Sequence, residues 1–383
     1  MDMPVPLSLY IHIPWCVQKC PYCDFNSHKV SKTLPEQQYI KQLLIDLQSD
    51  VVRFKVDRPL QSIFIGGGTP SLLSGSAISQ LLEGIGKQLS FSDVVEITLE
   101  ANPGTVDEQH FAAYYRAGVN RLSIGIQSFN ADQLRRLGRI HSPDEAVRAV
   151  KTAQDSGFDN INIDLMFGLP QQTEEQALFD IEQGIALDTV HLSYYQLTLE
   201  PNTVFARHPP VLPDEELIDR RFELASQRLR SAGFARYEVS AWSRGQHRRA
   251  KHNLNYWQYG DYLGIGAGAH GKITCDEQQT AHLVRTTKPR SPKHYLSRDN
   301  RRKERFVQDD EKAFEFMLNA LRLTQGFKRQ WIVERGLVEM TDVMPTIKHL
   351  ADKGLLRYSR EHIVPTELGR HFVNDMVAAF LND

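Results

Sequence analysis

The sequence is first informative for what it lacks. It has four cysteines in 383 residues, which excludes a disulfide-rich secreted scaffold and suits a reducing compartment. No stretch approaches the roughly 18 consecutive apolar residues of a spanning helix, and the start, Met1-Asp2-Met3-Pro4, lacks the basic and apolar parts of a signal peptide. A formal net charge of -2 provides no field that would attract nucleic acid. We therefore expect a soluble, cytoplasmic protein with no nucleic-acid partner.

What the sequence does have is three cysteines in one short segment. Cys16, Cys20 and Cys23 form a C-x3-C-x2-C spacing directly after an apolar, strand-like segment. Three thiolates at this spacing can hold three irons of a 4Fe-4S cluster and leave the fourth iron open to a small molecule. A zinc site is the first alternative, but it normally takes four ligands, and Cys275 stands alone far downstream. A disulfide is a second alternative, which the low cysteine count disfavours.

Short β-branched and apolar segments alternate with helical ones in the first half of the chain. The predicted strands cover residues 7–13, 62–65, 94–99, 121–126, 160–165 and 190–197, and the predicted helices cover 37–52, 77–88, 143–156 and 174–186. This alternation predicts an α/β fold with a parallel sheet built from βαβ units. Periodicity alone does not distinguish a partial barrel from an open doubly wound sheet.

The second half of the chain has a different character. A helix predicted over 214–232 leads into a segment rich in His, Arg and aromatic residues, and the polar, proline-containing segment 285–293 predicts a loop or linker. Beyond residue 309 helices dominate, with a short strand at 363–364, a pattern that is similar to a winged helix. The net charge favours a packing or lid role for that part over DNA binding. We therefore predict three parts, residues 1–235, 236–308 and 309–383.

Several motifs together resemble one known superfamily. Tyr22 stands just before the last cysteine of the spacing, YIHIPWC leads into it, and Gly66-Gly67-Gly68-Thr69-Pro70 follows the second predicted strand. Consecutive glycines let a backbone approach a ligand and turn its N-H groups toward an anionic group. Over nearly its whole length the chain resembles the radical S-adenosylmethionine (SAM) superfamily, and within it the oxygen-independent coproporphyrinogen III dehydrogenase family. The resemblance implies a partial (β/α)6 barrel that holds a 4Fe-4S cluster and SAM.

The resemblance also implies a set of SAM-contacting residues. Glu100 and Gln127 end the third and fourth predicted strands, Arg139 follows, and Asp164 lies within the fifth, where a buried carboxylate needs a partner. The carboxyl ends of barrel strands form the ligand face. Carboxylates there can accept hydrogen bonds from ribose hydroxyls or an amino group, and arginine can pair with a carboxylate. The motifs LEANP, GIQSF, LGRIH and NIDLMFGLP carry part of the implied set, which is Tyr10, Tyr22, Gly67, Gly68, Thr69, Glu100, Gln127, Arg139 and Asp164.

Residues 242–257 concentrate histidine, cations and aromatic side chains. Imidazole is a common axial ligand of heme iron, Arg and Lys can pair with heme propionates, and Tyr or Trp can stack on a porphyrin. A basic surface loop with an aromatic anchor is the alternative. The H-N-x-x-Y-W motif that begins at His252 resembles the one associated with heme in the heme-chaperone branch of the family. The resemblance thus implies heme ligation by His252.

Two departures separate the chain from the dehydrogenase branch. Phe25 stands where that branch has a further cysteine, and 15 residues precede Cys16, so we expect no coproporphyrinogen III dehydrogenase activity. The expected function is a heme chaperone that passes heme to acceptor hemoproteins such as respiratory cytochromes. A homodimer and membrane association through the acceptor are left open. The alternative is a radical SAM enzyme that abstracts hydrogen from a tetrapyrrole propionate, which the complete SAM set also favours.

Overall fold

The computed structural model describes residues 5–30, 33–277, 280–297 and 302–381. Residues 1–4, on which the prediction that a signal peptide is absent is based, lie outside these ranges. Strands and helices alternate up to residue 231. In chain order they are β1 (Leu7–Ile13), β2 (Trp15–Cys16), β3 (His28–Lys29), α1 (Glu36–Phe54), β4 (Leu60–Gly67), α2 (Gly75–Gly86), β5 (Phe91–Ala101), α3 (Glu108–Ala117), β6 (Arg121–Gln127), α4 (Ala131–Arg136), α5 (Pro143–Asp155), β7 (Ile161–Phe167), α6 (Glu174–Ala186), β8 (His191–Gln196), α7 (Val204–Arg207) and α8 (Glu215–Ser231).

The remainder of the chain mixes short strands with helices. In order these are β9 (Ala235–Arg236), β10 (Ala241–Ser243), α9 (Lys251–Trp257), β11 (Asp261–Ile265), β12 (His270–Glu277), β13 (Thr280–Thr287), α10 (Pro292–Tyr295), β14 (Lys303–Phe306), α11 (Asp309–Ala320), β15 (Phe327–Lys328), α12 (Trp331–Glu334), α13 (Met340–Asp352), β16 (Leu356–Tyr358), β17 (His362–Pro365), α14 (Glu367–His371) and α15 (Val373–Ala378).

One sheet of 12 strands organises the protein, in the order β14-β13-β12-β11-β1-β4-β5-β6-β7-β8-β10-β9. The strands from β11 through β8 in this order are parallel, and the six predicted strands, β1 and β4 to β8, follow one another in chain order. This is the order of a β/α barrel that stays open, because β14 and β9 end the sheet at its two edges. The predicted α/β class with a partial (β/α)6 barrel is confirmed.

Local sequence explains why these elements form where they do. All residues of β1 except Tyr10 are buried, as expected for a parallel strand covered on both faces. Ser142 caps α5 in a reciprocal box with Glu145, and Pro143 occupies the first helical turn. Thr173 opens α6 in the same way. These caps fix the helix starts and so the loops that connect the helices to the strand ends.

The region between residues 236 and 308 extends the sheet. β11 pairs with β1, and β12 to β14 continue from it as antiparallel strands. The prediction of a loop over 285–293 is wrong for Arg285, Thr286 and Thr287, because these residues pair with β12 on one side and β14 on the other. The polar composition misled the prediction, since β13 and β14 are rich in polar and charged residues although they are strands.

The C-terminal part has its own hydrophobic core. Helices α11, α12, α13 and α15 pack their apolar faces together with a three-stranded sheet in the order β15-β17-β16. Helices followed by a small antiparallel sheet form the predicted winged-helix-like arrangement. This core also includes Tyr259 and Leu283 from the region before it, so the C-terminal helices pack against the extended sheet.

Candidate cluster and SAM site

A cavity of about 470 Å³ opens at the carboxyl ends of β1 and β4 to β8. We call it the first cavity. Parallel strands bring the residues at their carboxyl ends to one edge, which is why positions so distant in sequence meet here. Eleven of the thirteen predicted site residues line it, namely Cys16, Cys20, Tyr22, Cys23, Gly67, Gly68, Thr69, Glu100, Gln127, Arg139 and Asp164.

Backbone hydrogen bonds order the cysteine loop, which begins in the small two-stranded sheet of β2 and β3. β2 pairs with β3, the amide of Val30 donates to the Cys16 carbonyl at 3.0 Å, and the amide of Cys23 donates to the Cys20 carbonyl at 3.2 Å. Burial raises the pKa of the Cys16 and Cys23 thiols, so in the metal-free protein these groups are protonated at neutral pH. Binding to iron would convert them to thiolates and release the protons.

The arrangement of these thiols can be compared with what a metal requires. Among the residues that the structure describes, no group of three His, Cys, Asp or Glu side chains is arranged to hold a single metal ion. A cubane cluster binds each cysteine at a different iron, so its ligands surround a wider space. The three cysteines line one side of a cavity, an arrangement that suits a cluster with one cysteine on each of three irons. Cys275 is buried in β12 and does not line the first cavity.

The glycine-rich loop joins the end of β4 to the cysteine loop. The amides of Gly68 and Thr69 donate to the carbonyls of Ile13 and Trp15, each at 2.7 Å, and the amide of Gly67 donates to Glu100 Oε2 at 3.0 Å. The prediction that these N-H groups turn toward an anionic ligand is therefore not met. The glycines serve close backbone approach instead, since a Cβ at position 68 would lie 2.5 Å from the Trp15 carbonyl oxygen.

Two half-buried carboxylates, Glu100 and Asp164, line the first cavity. Asp164 accepts hydrogen bonds from Asn162 Nδ2 at 2.8 Å and Ser123 Oγ at 3.2 Å, and neither Asp164 nor Glu100 has an ion-pair partner among the described residues. Burial, with the negative charge of Asp164 nearby, raises the pKa of Glu100 to about 7, and burial also raises the pKa of Asp164. Such a pair is stabilised by a positively charged ligand.

Basic, amide and aromatic side chains line the first cavity together with the acids. Arg139 donates to the Gly125 carbonyl at 2.5 Å and contacts Cys20 Sγ at 3.8 Å, while its buried Nε has no hydrogen-bond partner among the described residues. Gln127 adopts a positive φ of 73° at the end of β6, which aims its side chain into the cavity wall. Tyr22 lies beside Arg139, which offsets part of the rise that burial causes in the tyrosine pKa.

Three further polar residues support the lining of the first cavity, and the sequence prediction missed them. Tyr195 donates to Gln127 Oε1 at 2.5 Å, and Ser123 and Asn162 support Asp164. Asn162 precedes Asp164 by two residues on the same strand, and Ser123 pairs with Asn162 in register. The alternation of strand side chains would have found Asn162, because residues two apart lie on the same face. It would not have found Ser123, which reaches Asp164 through the pairing of β6 with β7.

Tyr10 and His252 do not line the first cavity. Tyr10 faces a second cavity, lined by Phe25, Tyr256 and His270 among others, and its hydroxyl donates to His12 Nδ1 at 2.8 Å. His12 accepts there because its Nε2 donates to the Asn26 carbonyl. The second cavity is therefore a distinct space on the other side of the segment that follows the cysteines.

His252 is enclosed in the interior. Its side chain is 3% exposed, its ring stacks on Phe64 with centroids 4.8 Å apart, and it meets the Tyr256 ring edge-on at 4.6 Å. Nδ1 lies 3.3 Å from Ser62 Oγ, and Nε2 has no partner among the described residues. Burial, with a smaller contribution from Arg121, lowers its pKa to about 3 and keeps the imidazole neutral.

Comparison with known proteins decides the family. The Radical SAM superfamily profile matches residues 10–182, and the HemN C-terminal domain profile matches residues 307–372. The heme chaperone HemW of Escherichia coli is 48% identical over 98% of both chains, and that of Haemophilus influenzae is 48% identical over 99% of this chain and 98% of its own. The chain belongs to the HemW family. HemW of Bacillus subtilis is 34% identical over 98% of this chain and 99% of its own.

A solved structure shares the fold of this HemW-family chain. Coproporphyrinogen III oxidase (HemN) from Escherichia coli, a radical SAM enzyme, superposes with a TM-score of 0.79 over 98% of this chain and 90% of its own, at 22% identity. At that identity the likeness concerns the fold. The family implies a 4Fe-4S cluster and SAM. No helix within the described ranges combines the length and apolarity that crossing a membrane demands.

Proposed function

We propose that this chain is a heme chaperone, which binds heme and transfers it to acceptor hemoproteins. The observation that carries the proposal is the similarity to relatives named heme chaperones, which are 48% identical to this chain over nearly the whole length of both. Respiratory cytochromes are the proposed acceptors, the cytoplasm is the proposed compartment, and contact with a membrane would come through the acceptor. We include self-association as a homodimer in this proposal, and the molecular mass of the protein in solution tests it.

The cluster ligands in this proposal are Cys16, Cys20 and Cys23. They line one cavity on the side of the cysteine loop, and their thiols ionise on metal binding. A bound cluster supplies an open iron at which a small molecule can coordinate. The chain itself contributes the loop that holds the cysteines against the end of β4, through the amides of Gly68 and Thr69.

The SAM ligands in this proposal are the other predicted site residues that line the first cavity. The acids Glu100 and Asp164 suit the positive charge of the SAM amine and sulfonium, and Arg139, whose Nε has no hydrogen-bond partner among the described residues, suits the carboxylate. Gly67, Gly68 and Thr69 shape the wall, with Tyr22 and Gln127 beside them. Tyr10 belongs to the predicted set but lines the second cavity, so its contact with SAM is tested separately below.

His252 stays a proposed heme ligand on two observations. Its Nε2 is unpartnered among the described residues, and its imidazole is neutral, as iron ligation requires. Ligation by this ring needs Phe64 or Tyr256 to move, because both pack directly on it. A heme spectrum that changes in His252→Ala but not in a matched control would support the assignment.

The second candidate function is a radical SAM enzyme that acts on a tetrapyrrole, which the complete polar lining of the first cavity favours. One experiment separates the two. After anaerobic reconstitution of the cluster, heme uptake, heme transfer to an apo-hemoprotein, 5'-deoxyadenosine and coproporphyrinogen turnover are measured in parallel. The chaperone proposal expects uptake and transfer without porphyrin formation. Porphyrin formation without heme uptake would contradict it.

A further inference from the structure

The second cavity measures about 890 Å³ and is bounded by β11 to β14, by β1 and by the segment that follows the cysteines. This size lies in the range of cavities that bind cofactors and drug-sized molecules, roughly 300–1,000 Å³. Its position differs from the first cavity, although Asp24 and Phe25 line both. The cysteine-loop segment is therefore a shared wall between the two spaces.

Aromatic rings form much of the wall of the second cavity. Tyr256 and Tyr262 meet edge-on with centroids 4.4 Å apart, and Tyr10 lies beside Phe64 and His252 in a stacked group. Phe25 is 55% exposed where the two cavities adjoin, so its ring is available to a ligand in either space. Walls of this kind suit a flat, largely apolar ligand.

Two cations of the second cavity lack counter-charges. Lys288 and Arg302 are paired with Asp50, but Arg290 and Lys303 have no ion-pair partner among the described residues. The loop that carries Arg290 is fixed because its carbonyl accepts from Asn26 Nδ2 at 2.8 Å. Two unpaired cations beside an aromatic wall match a ligand with two carboxylates.

One imidazole is oriented toward the same space. His270 pairs in register with Thr287, and Thr287 pairs with Lys303, so the three residues form a row across β12, β13 and β14 on one face of the sheet. His270 has no hydrogen-bond partner among the described residues and is exposed to the cavity. Burial, with the nearby charges of Arg290 and Arg285, lowers its pKa and favours the neutral ring that binds iron.

We propose that the second cavity is the heme site, with His270 as an iron ligand and Arg290 and Lys303 as partners of the two propionates. The inference rests on the proposed heme-chaperone function and names its site. His270 already lines the cavity, whereas His252 lies behind Tyr256 and supports that wall. In this arrangement His270 binds the iron first, and His252 reaches it only if Tyr256 moves aside.

The test is heme titration of the cluster-reconstituted full chain, followed by the Soret band. We expect His270→Ala to weaken heme binding about tenfold and to shift the band, with added imidazole restoring the spectrum. His282→Ala is the matched control, because that histidine lies on the neighbouring strand β13 and outside the cavity. Unchanged cluster content in each variant shows that the fold is retained.

A second variant tests the cations by themselves. Arg290→Ala combined with Lys303→Ala is expected to weaken heme binding about tenfold or more but to leave binding of heme dimethyl ester, which lacks free propionates, unchanged. Wild-type affinity and spectrum in both the His270 and the double variant would overturn the site while leaving the chaperone proposal intact. Absence of heme binding in the wild type would instead contradict the chaperone proposal, and the site with it.

Discussion

The first and second cavities share a wall and have opposite chemistry. The first is lined by two half-buried carboxylates, Glu100 and Asp164, which suit a cationic ligand. The second has an aromatic wall and two cations without partners, Arg290 and Lys303, which suit an anionic one. A chain with a net charge of -2 thus separates charge locally, so its total charge says nothing about either ligand.

The difference follows from where each cavity lies on the sheet. The first gathers side chains from the carboxyl ends of parallel strands, where successive βα loops converge. The second uses the exposed face of antiparallel strands, where residues in register stand side by side. One sheet therefore provides two kinds of site, and variants should affect the two ligands separately.

The largest effect is expected from the cysteines. Replacing Cys20 by Ser removes one iron ligand and should abolish the cluster. The spacing supplies only three protein thiolates, so none can replace the one that is lost. Cys275→Ser is the matched control and should keep a full cluster, since that residue is buried in β12. Iron and sulfide are counted after anaerobic reconstitution. A Cys275 variant without a cluster, or a Cys20 variant with one, would refute the assignment.

Next in size is the loss of a charged group from the first cavity. Asp164→Ala and Arg139→Ala should each weaken SAM binding by about 1.5 to 3 kcal/mol, which is tenfold or more, while heme binding stays unchanged. Asp132→Ala, which removes an exposed acid of α4, is the control. SAM is titrated by calorimetry into the reconstituted protein. Wild-type SAM affinity in both variants would mean that the first cavity is not the SAM site.

The pH dependence of SAM binding should come from Glu100. Its pKa of about 7 means that the carboxylate is ionised above neutral pH and protonated below it, so the affinity for cationic SAM should fall as the pH drops. From about pH 8 to about pH 6 the loss should reach up to about tenfold. Glu100→Gln should bind weakly with no such pH dependence. A pH profile that is the same in wild type and variant would remove Glu100 from the explanation.

Protein stability in the absence of ligand should respond to Glu100 with the opposite sign. A carboxyl whose pKa rises from 4.5 to about 7 on folding binds its proton more tightly in the folded state. The free energy of unfolding should therefore fall as the pH rises through that interval. Denaturant titration of wild type and Glu100→Gln measures this slope, which should be smaller in the variant.

The smallest effect is expected from Tyr10. Tyr10→Phe removes the hydrogen bond to His12 and should lower stability by about 1 kcal/mol, with SAM affinity within about twofold of wild type, since Tyr10 faces the second cavity. The sequence prediction of a SAM contact expects a clear loss instead. SAM titration of this variant decides between these two expectations. A tenfold loss of SAM affinity would mean that SAM also contacts Tyr10 on β1.

Much of this architecture could be predicted from the sequence. The six parallel strands stand out because each is a short apolar run, and the cysteine spacing locates the first cavity. The outer strands β12 to β14 could not be found in the same way, because their polar residues resemble loop composition. Burial of His252 was also out of reach, since it depends on Phe64 and Tyr256 closing around the ring from two different elements.

The register that aligns His270 with Lys303 is likewise a property of the folded sheet. These residues lie far apart in the sequence and fall in one row only because β13 pairs with β12 on one side and with β14 on the other. By contrast, Asn162 and Asp164 are two residues apart on one strand, so their shared face could have been read from the sequence. Local alternation is visible in sequence, whereas pairing between strands is not.

The measurement that tests the account most directly is simultaneous titration of heme and SAM into the cluster-reconstituted protein. Two separate cavities of opposite charge predict that one heme and one SAM bind per chain at the same time, with neither displacing the other. Competition, in which added heme releases bound SAM in proportion, would show that the two ligands share one site and would contradict the account.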